Sequence, residues 1–378
     1  MAKEKDTDYF DMKRYKIKLE EITSIENCKK AILKASKGKQ HRRDVKRILT
    51  NVDKYANELS KFIEDVLDGT KELEQGNVDT VIEGVSRKLR TLCKPRYYPE
   101  QCTHWAIMLQ IAPLLEKSFY KYSCASIKGR GTHYAKYSVQ HFLRDTKNTK
   151  YCLQVDIKGF YKHINKETLI SMLSNKFKDK RVVNLLSKVI YAYKGDGLPL
   201  GYYTSAHLAN FYLTGYDRYL KEVLKVKYMA RYMDDVVIYG SNKRVLHKVK
   251  VLSEEYLKPL SLFYKTNWQV YKMPYDNKKG KITSQRFTDF VGYKFYRYKT
   301  IIRKSIFLRM VRLFRKLTNG KYTSKRAHAF YSYNGYIQHT NSVNVTSNYI
   351  NGKINLNKLK EIIRNESRNK NSVNCAAG

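Results

Sequence analysis

Tyr228-Met229-Ala230-Arg231-Tyr232-Met233-Asp234-Asp235-Val236-Val237-Ile238-Tyr239-Gly240 reads as a β-hairpin, two runs rich in aromatic and branched residues joined at Asp-Asp. Two acids at a turn ordinarily do no more than make the turn, because Asp tolerates turn conformations and hydrogen-bonds its own backbone. Their company argues for more. Upstream, Tyr151-Cys152-Leu153-Gln154-Val155-Asp156-Ile157 is another short apolar strand that gives way at a carboxylate. The chain carries 74 Lys and Arg against 34 Asp and Glu, a formal charge of +40, so three carboxylates beside apolar strands would form an isolated negative pocket. Such a pocket suits hard divalent cations, which take oxygen ligands and bind phosphates. Two of them close together can activate an attacking 3′-hydroxyl and stabilise departing pyrophosphate in one in-line displacement.

The charge points the same way. A polycation of this size repels itself when compact, and a polyanion relieves that repulsion while gaining affinity from counterion release. Nucleic acid is therefore the leading partner, and an ordinary enzyme for a small neutral substrate is disfavoured. A membrane surface is the rival, but no run approaches eighteen apolar residues and no membrane partner is expected. The start, Met1-Ala2-Lys3-Glu4-Lys5-Asp6, has no apolar signal segment, which predicts a cytoplasmic protein. Six cysteines without a C-x-x-C pair argue against a disulfide framework or a zinc knuckle. Thirty-three tyrosines are mostly core and sheet residues by expectation, with some free to stack on bases.

Outward from the centre, Ile48, Val52, Tyr55, Leu59, Phe62 and Val66 recur at helical spacing and predict one amphipathic helix stopped by Gly69. Ser86 to Arg96 alternates basic and apolar residues as a half-buried strand ended by Pro95, and a helix follows from about Gln101 to Ser118. Lys128-Gly129-Arg130-Gly131-Thr132-His133 is a basic glycine turn. A helix is expected over Lys166–Phe177, then a glycine-punctuated turn, Gly195 to Gly201, that opens a helix through Leu213. Beyond Arg303 a basic helix reads through Leu317, and the polar tail from Glu366 to Gly378 reads as disordered.

These blocks resemble, in order, those of the bacterial reverse transcriptases of the group II intron-like lineage: Gln154-Val155-Asp156-Ile157-Lys158-Gly159-Phe160-Tyr161, Gly197-Leu198-Pro199-Leu200-Gly201 through Ala209-Asn210, Tyr232-Met233-Asp234-Asp235, and Phe290-Val291-Gly292-Tyr293. The resemblance implies an α+β right-hand polymerase with fingers, a palm of antiparallel sheet with helices, and a helical thumb. The expected boundaries are 1–85 for an N-terminal helical extension and fingers, 86–150 for fingers, 151–300 for the palm, 301–365 for the thumb and 366–378 for the tail. It implies RNA-directed DNA synthesis with two Mg²⁺ ions, or Mn²⁺ in their place, at Asp156, Ile157, Asp234 and Asp235. The partners would be a noncoding template RNA, its cDNA and RNA–DNA hybrid, and dNTPs, with an accessory protein or a second copy of the chain as further candidates.

Matching positions take family roles. Tyr161 resembles the steric gate that excludes a ribose 2′-hydroxyl, and Arg90, helped by Lys88, the fingers residue that grips the triphosphate. Pro199, Leu200 and Gly201 resemble the turn under the template base and incoming nucleotide. Lys265 matches the position that protonates pyrophosphate, and Phe290, Val291, Gly292 and Tyr293 the primer grip. Only 85 residues follow Tyr293, too few for maturase and endonuclease parts. The retron Asn-Ala-x-x-His block is missing, and Met233 stands where retrons favour Ala. Diversity-generating retroelement enzymes share the compact length and basic turn, but usually place Gln after the serine at Ser205, where this chain has Ala206. The antiphage-defence branch is the expectation. A diversity-generating enzyme and a non-catalytic RNA-binding protein remain as alternatives.

Overall fold

The computed structural model describes residues 14–82, 89–273 and 286–375. Its strands are β1 (Asn77–Ile82), β2 (Leu89–Lys94), β3 (Tyr151–Asp156), β4 (Tyr228–Tyr232), β5 (Asp235–Gly240), β6 (Gln269–Lys272), β7 (Thr288–Phe290), β8 (Tyr293–Phe295) and β9 (Thr300–Ile302). The rest is mainly helix, so the class is α+β with antiparallel pairing. The chain forms two compact units.

The first unit takes in Met1–Ile127, Asp156–Val226 and Lys248–Asn267. Its core is helical. The Ile25–Ala35 helix packs on Val52–Asp68 and Cys102–Glu116, burying Cys28, Ala31, Ile32, Ala56, Leu59, Ile63, Ile107 and Ile111. Asn27 is buried with them because its amide is fully used: Nδ2 donates to the carbonyls of Ile22 (2.8 Å) and Ala106 (2.9 Å), and Oδ1 accepts from Gln110 Nε2 at 2.7 Å. The helix expected from Ile48 to Val66 is two helices, Arg43–Leu49 and Val52–Asp68. Asn51 breaks them: its side chain accepts from the Lys54 N–H as an N-cap, so Ile48 belongs to the preceding helix. Gly69 does end the second, in the left-handed conformation at φ 81°. The Lys180–Ala192 helix, whose stripe of Val182, Leu185, Leu186, Val189 and Ile190 is buried, and strand β1, antiparallel to β2, were not anticipated from the sequence.

The second unit takes in Lys128–Val155, Lys227–His247 and Trp268–Gly378. It holds the sheet β4-β5-β3-β6 and the smaller sheet β7-β8-β9. Val236, Val237 and Ile238 of β5 and Met229 and Ala230 of β4 are fully buried, which is why these strands read as nearly continuous apolar runs. Helices Lys304–Thr318, Ser324–Gln338 and Leu356–Cys375 share a core of Ile306, Met310, Phe314, Leu317, Phe330, Ile337 and Leu359. The first of these leaves Arg312 and Arg315 exposed on its opposite side. The last helix runs from Leu356 to Cys375. Its start is anchored by Leu359, and neither Gly nor Pro interrupts it.

Candidate active site

Asp156 closes β3. Beyond it the backbone pairs with 263–265: Ile157 bridges antiparallel to Tyr264, the Lys158 N–H donates to the Phe263 carbonyl at 2.8 Å, and the Lys265 N–H donates to the Asp156 carbonyl at 2.8 Å. This pairing brings the Lys265 ammonium to 2.6 Å from Asp156 Oδ1. That oxygen is shielded from solvent and receives no aligned hydrogen bond. A solvent-shielded carboxylate oxygen is a fitting ligand for a hard metal ion, which would take the place of the Lys265 ammonium there.

The β4–β5 hairpin differs by one residue from the expected join at Asp-Asp. Tyr232 and Asp235 are paired across the strands, so the two-residue turn is Met233-Asp234 and Asp235 is already strand. Met233 takes the left-handed conformation at φ 56°. Tight hairpins need positive φ at the first central residue because the primed turns match strand twist. The aspartates' own tolerance of that conformation is thus not what the turn uses, and the larger Met bears a strain of about 1–2 kcal/mol. Beneath it Arg231 is fully buried and donates from Nη1 to the Met233 carbonyl at 3.2 Å. In the order β4-β5-β3-β6, β5 adjoins β3. Among the described residues no group of three or more His, Cys, Asp or Glu is gathered as a metal site.

Three other sequence candidates are brought together within the first unit. The Cys93 N–H of β2 donates to the Leu200 carbonyl at 2.7 Å, and Leu92 bridges to Leu200. Gly201 sits at φ 112°, and a β-carbon there would lie 2.4 Å from the Cys93 carbonyl oxygen. On the other side the Leu198 N–H donates to the Tyr161 carbonyl at 2.8 Å. The Pro199-Leu200-Gly201 turn is therefore held between the strand that carries exposed Arg90 and the segment that carries half-buried Tyr161. Lys88 lies outside the described residues.

Phe290 to Tyr293 is a hairpin corner. Phe290 and Tyr293 pair across β7 and β8, and Val291 (φ 46°) and Gly292 (φ 89°) form the turn. The Arg303 N–H donates to the Gly292 carbonyl at 3.0 Å. The Tyr293 hydroxyl meets His133 Nδ1 at 3.2 Å, and the His133 ring lies 3.8 Å from that of His339. Burial, with His339 and Lys136 nearby, holds His133 below its usual value. Sequence reasoning quoted His133 only as the end of a glycine turn and did not assign it to Tyr293. It also missed His104, fully buried, with Nδ1 3.1 Å from Thr204 Oγ1 at the start of the Ser205–Tyr212 helix. Burial drives the His104 imidazole down to about 3. A buried His on the apolar Cys102–Glu116 helix leaves no periodic signal of its partner.

The family model for reverse transcriptase (RNA-dependent DNA polymerase) matches residues 99–295, more than half of the chain. The chain belongs to this family. The reverse transcriptase match spans Asp156, Tyr161, the 199–201 turn, Asp234, Asp235, Lys265 and the 290–293 corner, and begins after Lys88 and Arg90. Its fold is the right-hand polymerase fold. A similar protein is the group II intron-encoded protein LtrA of Lactococcus lactis subsp. cremoris, 24% identical over 239 residues, covering 59% of this chain and 39% of LtrA. The chain thus spans well under half of that relative. Among solved structures, apo telomerase from Candida tropicalis, truncated from its C-terminal domain, is 14% identical with a TM-score of 0.44, covering 66% of this chain and 60% of that one. Telomerase from Candida albicans with a fragment of telomeric RNA is 11% identical with a TM-score of 0.45, covering 85% and 62%. Among the described residues, no helix is long and apolar enough to cross a membrane.

Proposed function

We propose that this protein copies a noncoding RNA template into DNA, and that it serves antiphage defence. Asp156, the main chain at Ile157, Asp234 and Asp235 would hold two Mg²⁺ ions, with Mn²⁺ as a substitute. When bound, the ions supply activation of the primer 3′-hydroxyl and charge stabilisation for the pyrophosphate. Arg90 and Lys88 grip the triphosphate, Tyr161 excludes a 2′-hydroxyl, and the Pro199-Leu200-Gly201 turn supports the nascent pair. Phe290, Val291, Gly292 and Tyr293 hold the primer end, and Lys265 gives a proton to the leaving group. The domain reading is an N-terminal helical extension and fingers over 1–85, fingers over 86–150, palm over 151–300, thumb over 301–365 and a tail over 366–378.

The observation that carries the reading is the solvent-shielded Oδ1 of Asp156, beside the Lys265 ammonium, at the end of a strand in a chain of the reverse transcriptase family. The defence assignment is supported by Ala206 after Ser205. The test is primer extension on RNA with Mg²⁺ and dNTPs, using wild type and the Asp234→Ala/Asp235→Ala variant. Extension by the wild type and none by a variant with an unchanged melting curve supports the assignment. Extension by both overturns the carboxylate roles. RNA retention without wild-type extension would favour the non-catalytic binding reading, and sequencing the co-purified nucleic acid identifies the template.

A further inference from the structure

A cavity of about 600 Å³ opens in the first unit between the 162–167 segment and the 191–197 segment, a size typical of small-ligand sites. None of the roles proposed above uses it. Its walls are fixed by bonds within the protein. The Lys166 ammonium donates to the Tyr193 carbonyl at 2.6 Å and lies 5.5 Å from the ring centroids of both Tyr191 and Tyr193. The Tyr191 hydroxyl donates to Glu167 Oε1 at 2.7 Å, which orients that ring while leaving it 43% exposed. At the rim, Lys162, Lys194 and Asp196 are exposed. Gly197, within the turn that runs from Gly195 to Gly201, also lines the cavity.

This mixture selects among ligands. A bare anion would gain from Lys162 and Lys194 but be repelled by Glu167 and Asp196. An apolar ligand would leave the lysines desolvated without partners. A nucleotide unit uses all of them: its base stacks on an exposed tyrosine, its phosphate meets the lysines, and its ribose hydroxyl or base amino groups donate to the carboxylates. Stacking needs an unpaired base, since a duplex covers the base faces. We infer that this cavity binds one unpaired nucleotide of an RNA strand. The inference deepens the proposed polymerase reading, because an RNA template is single-stranded ahead of the point of synthesis and Gly197 of the cavity lies two residues before the Pro199-Leu200-Gly201 turn assigned to the template base.

The test needs no polymerisation, so its failure and the failure of the polymerase reading are separate results. Full-length protein in EDTA, without dNTPs, is mixed with a short oligouridylate carrying one 4-thiouridine, irradiated, and digested for mass spectrometry. Affinity for the same oligomer is measured by fluorescence anisotropy. Adducts on the peptide holding Tyr191 and Tyr193 are expected. Tyr191→Ala should weaken binding about fivefold or more, the effect of one lost stack, while Tyr191→Phe retains affinity because the ring is kept. Lys162→Gln with Lys194→Gln should weaken binding and flatten its salt dependence. Adducts confined to other segments, or undiminished affinity in both the Tyr191→Ala and the double lysine variants, would overturn the inference. Displacement of the oligomer by uridine monophosphate at matched nucleotide concentration would overturn the strand as the source and assign the cavity to free nucleotide. Should Tyr191→Ala unfold, the double lysine variant, altered only at exposed positions, decides.

Discussion

The Lys265 ammonium lies 2.6 Å from Oδ1 of Asp156, and the backbone N–H of the same lysine donates to the Asp156 carbonyl at 2.8 Å. One residue thus holds the candidate metal ligand by main chain and by side chain. The ammonium stands as a counter-charge to that carboxylate, and a divalent ion bound there would have to compete with it.

Lys265→Met separates these roles. Removing the ammonium should lower the Mg²⁺ concentration for half-maximal rate, because Asp156 no longer has a competing cation. The rate at saturating Mg²⁺ should fall about 100-fold or more, the usual contribution of a positioned acid. Initial rates across a Mg²⁺ titration check both. An unchanged saturating rate would remove Lys265 from the chemistry.

Tyr161→Ala should raise ribonucleotide use relative to deoxyribonucleotide use, because exclusion works through a clash with the ring and not through a lost attraction. Tyr161→Phe, which keeps the ring, should discriminate as the wild type does. Single-nucleotide incorporation with matched dNTP and rNTP series gives the ratio, and equal ratios in all three proteins would reject the gate.

Gly197→Ala should destabilise the protein by about 2 kcal/mol or more. Its φ is 62°, and the added carbon would lie 2.1 Å from the Tyr161 carbonyl oxygen, which is backbone and cannot swing away. Gly195→Ala should cost much less, because the carbon there meets the Tyr193 side chain. Urea denaturation of the two variants beside wild type measures the contrast.

His104 makes stability depend on pH. Its folded-state value is depressed to about 3, so below about pH 6.5 the unfolded chain takes up a proton that the folded chain refuses. Unfolding is then favoured as pH falls, with a slope of about 1.4 kcal/mol per pH unit from this group. Above about pH 6.5 both states are neutral and the effect disappears. Urea midpoints from pH 7 to pH 5 should decline less steeply in His104→Leu than in wild type. Parallel declines would assign the acid sensitivity elsewhere.

Much of the architecture was legible because it rests on short-range periodicity. β4 and β5 could be read from apolar runs around an acidic pair, and the Lys304–Thr318 helix from apolar residues three and four apart. Local competition was harder to read. Whether Asn51 caps a new helix or rides inside a long one depends on a single side-chain hydrogen bond. Whether the hairpin turns at 233–234 or at 234–235 depends on cross-strand register, which burial of β4 and β5 sets against their neighbours.

The sequence by itself determined the family and the order of its motifs, and it singled out Asp156, Asp234 and Asp235 as candidates, because each is a residue type at a fixed distance from a local pattern. Only the tertiary structure decided what those residues meet. Lys265 reaches Asp156 through a backbone bridge at Ile157 and Tyr264, His133 reaches Tyr293 across 160 positions, and Gly197 is excluded from carrying a side chain by the carbonyl of Tyr161. No local spacing encodes such contacts. They arise when separate segments bury apolar surface together, and the polar groups carried along must then find partners wherever the packing leaves them.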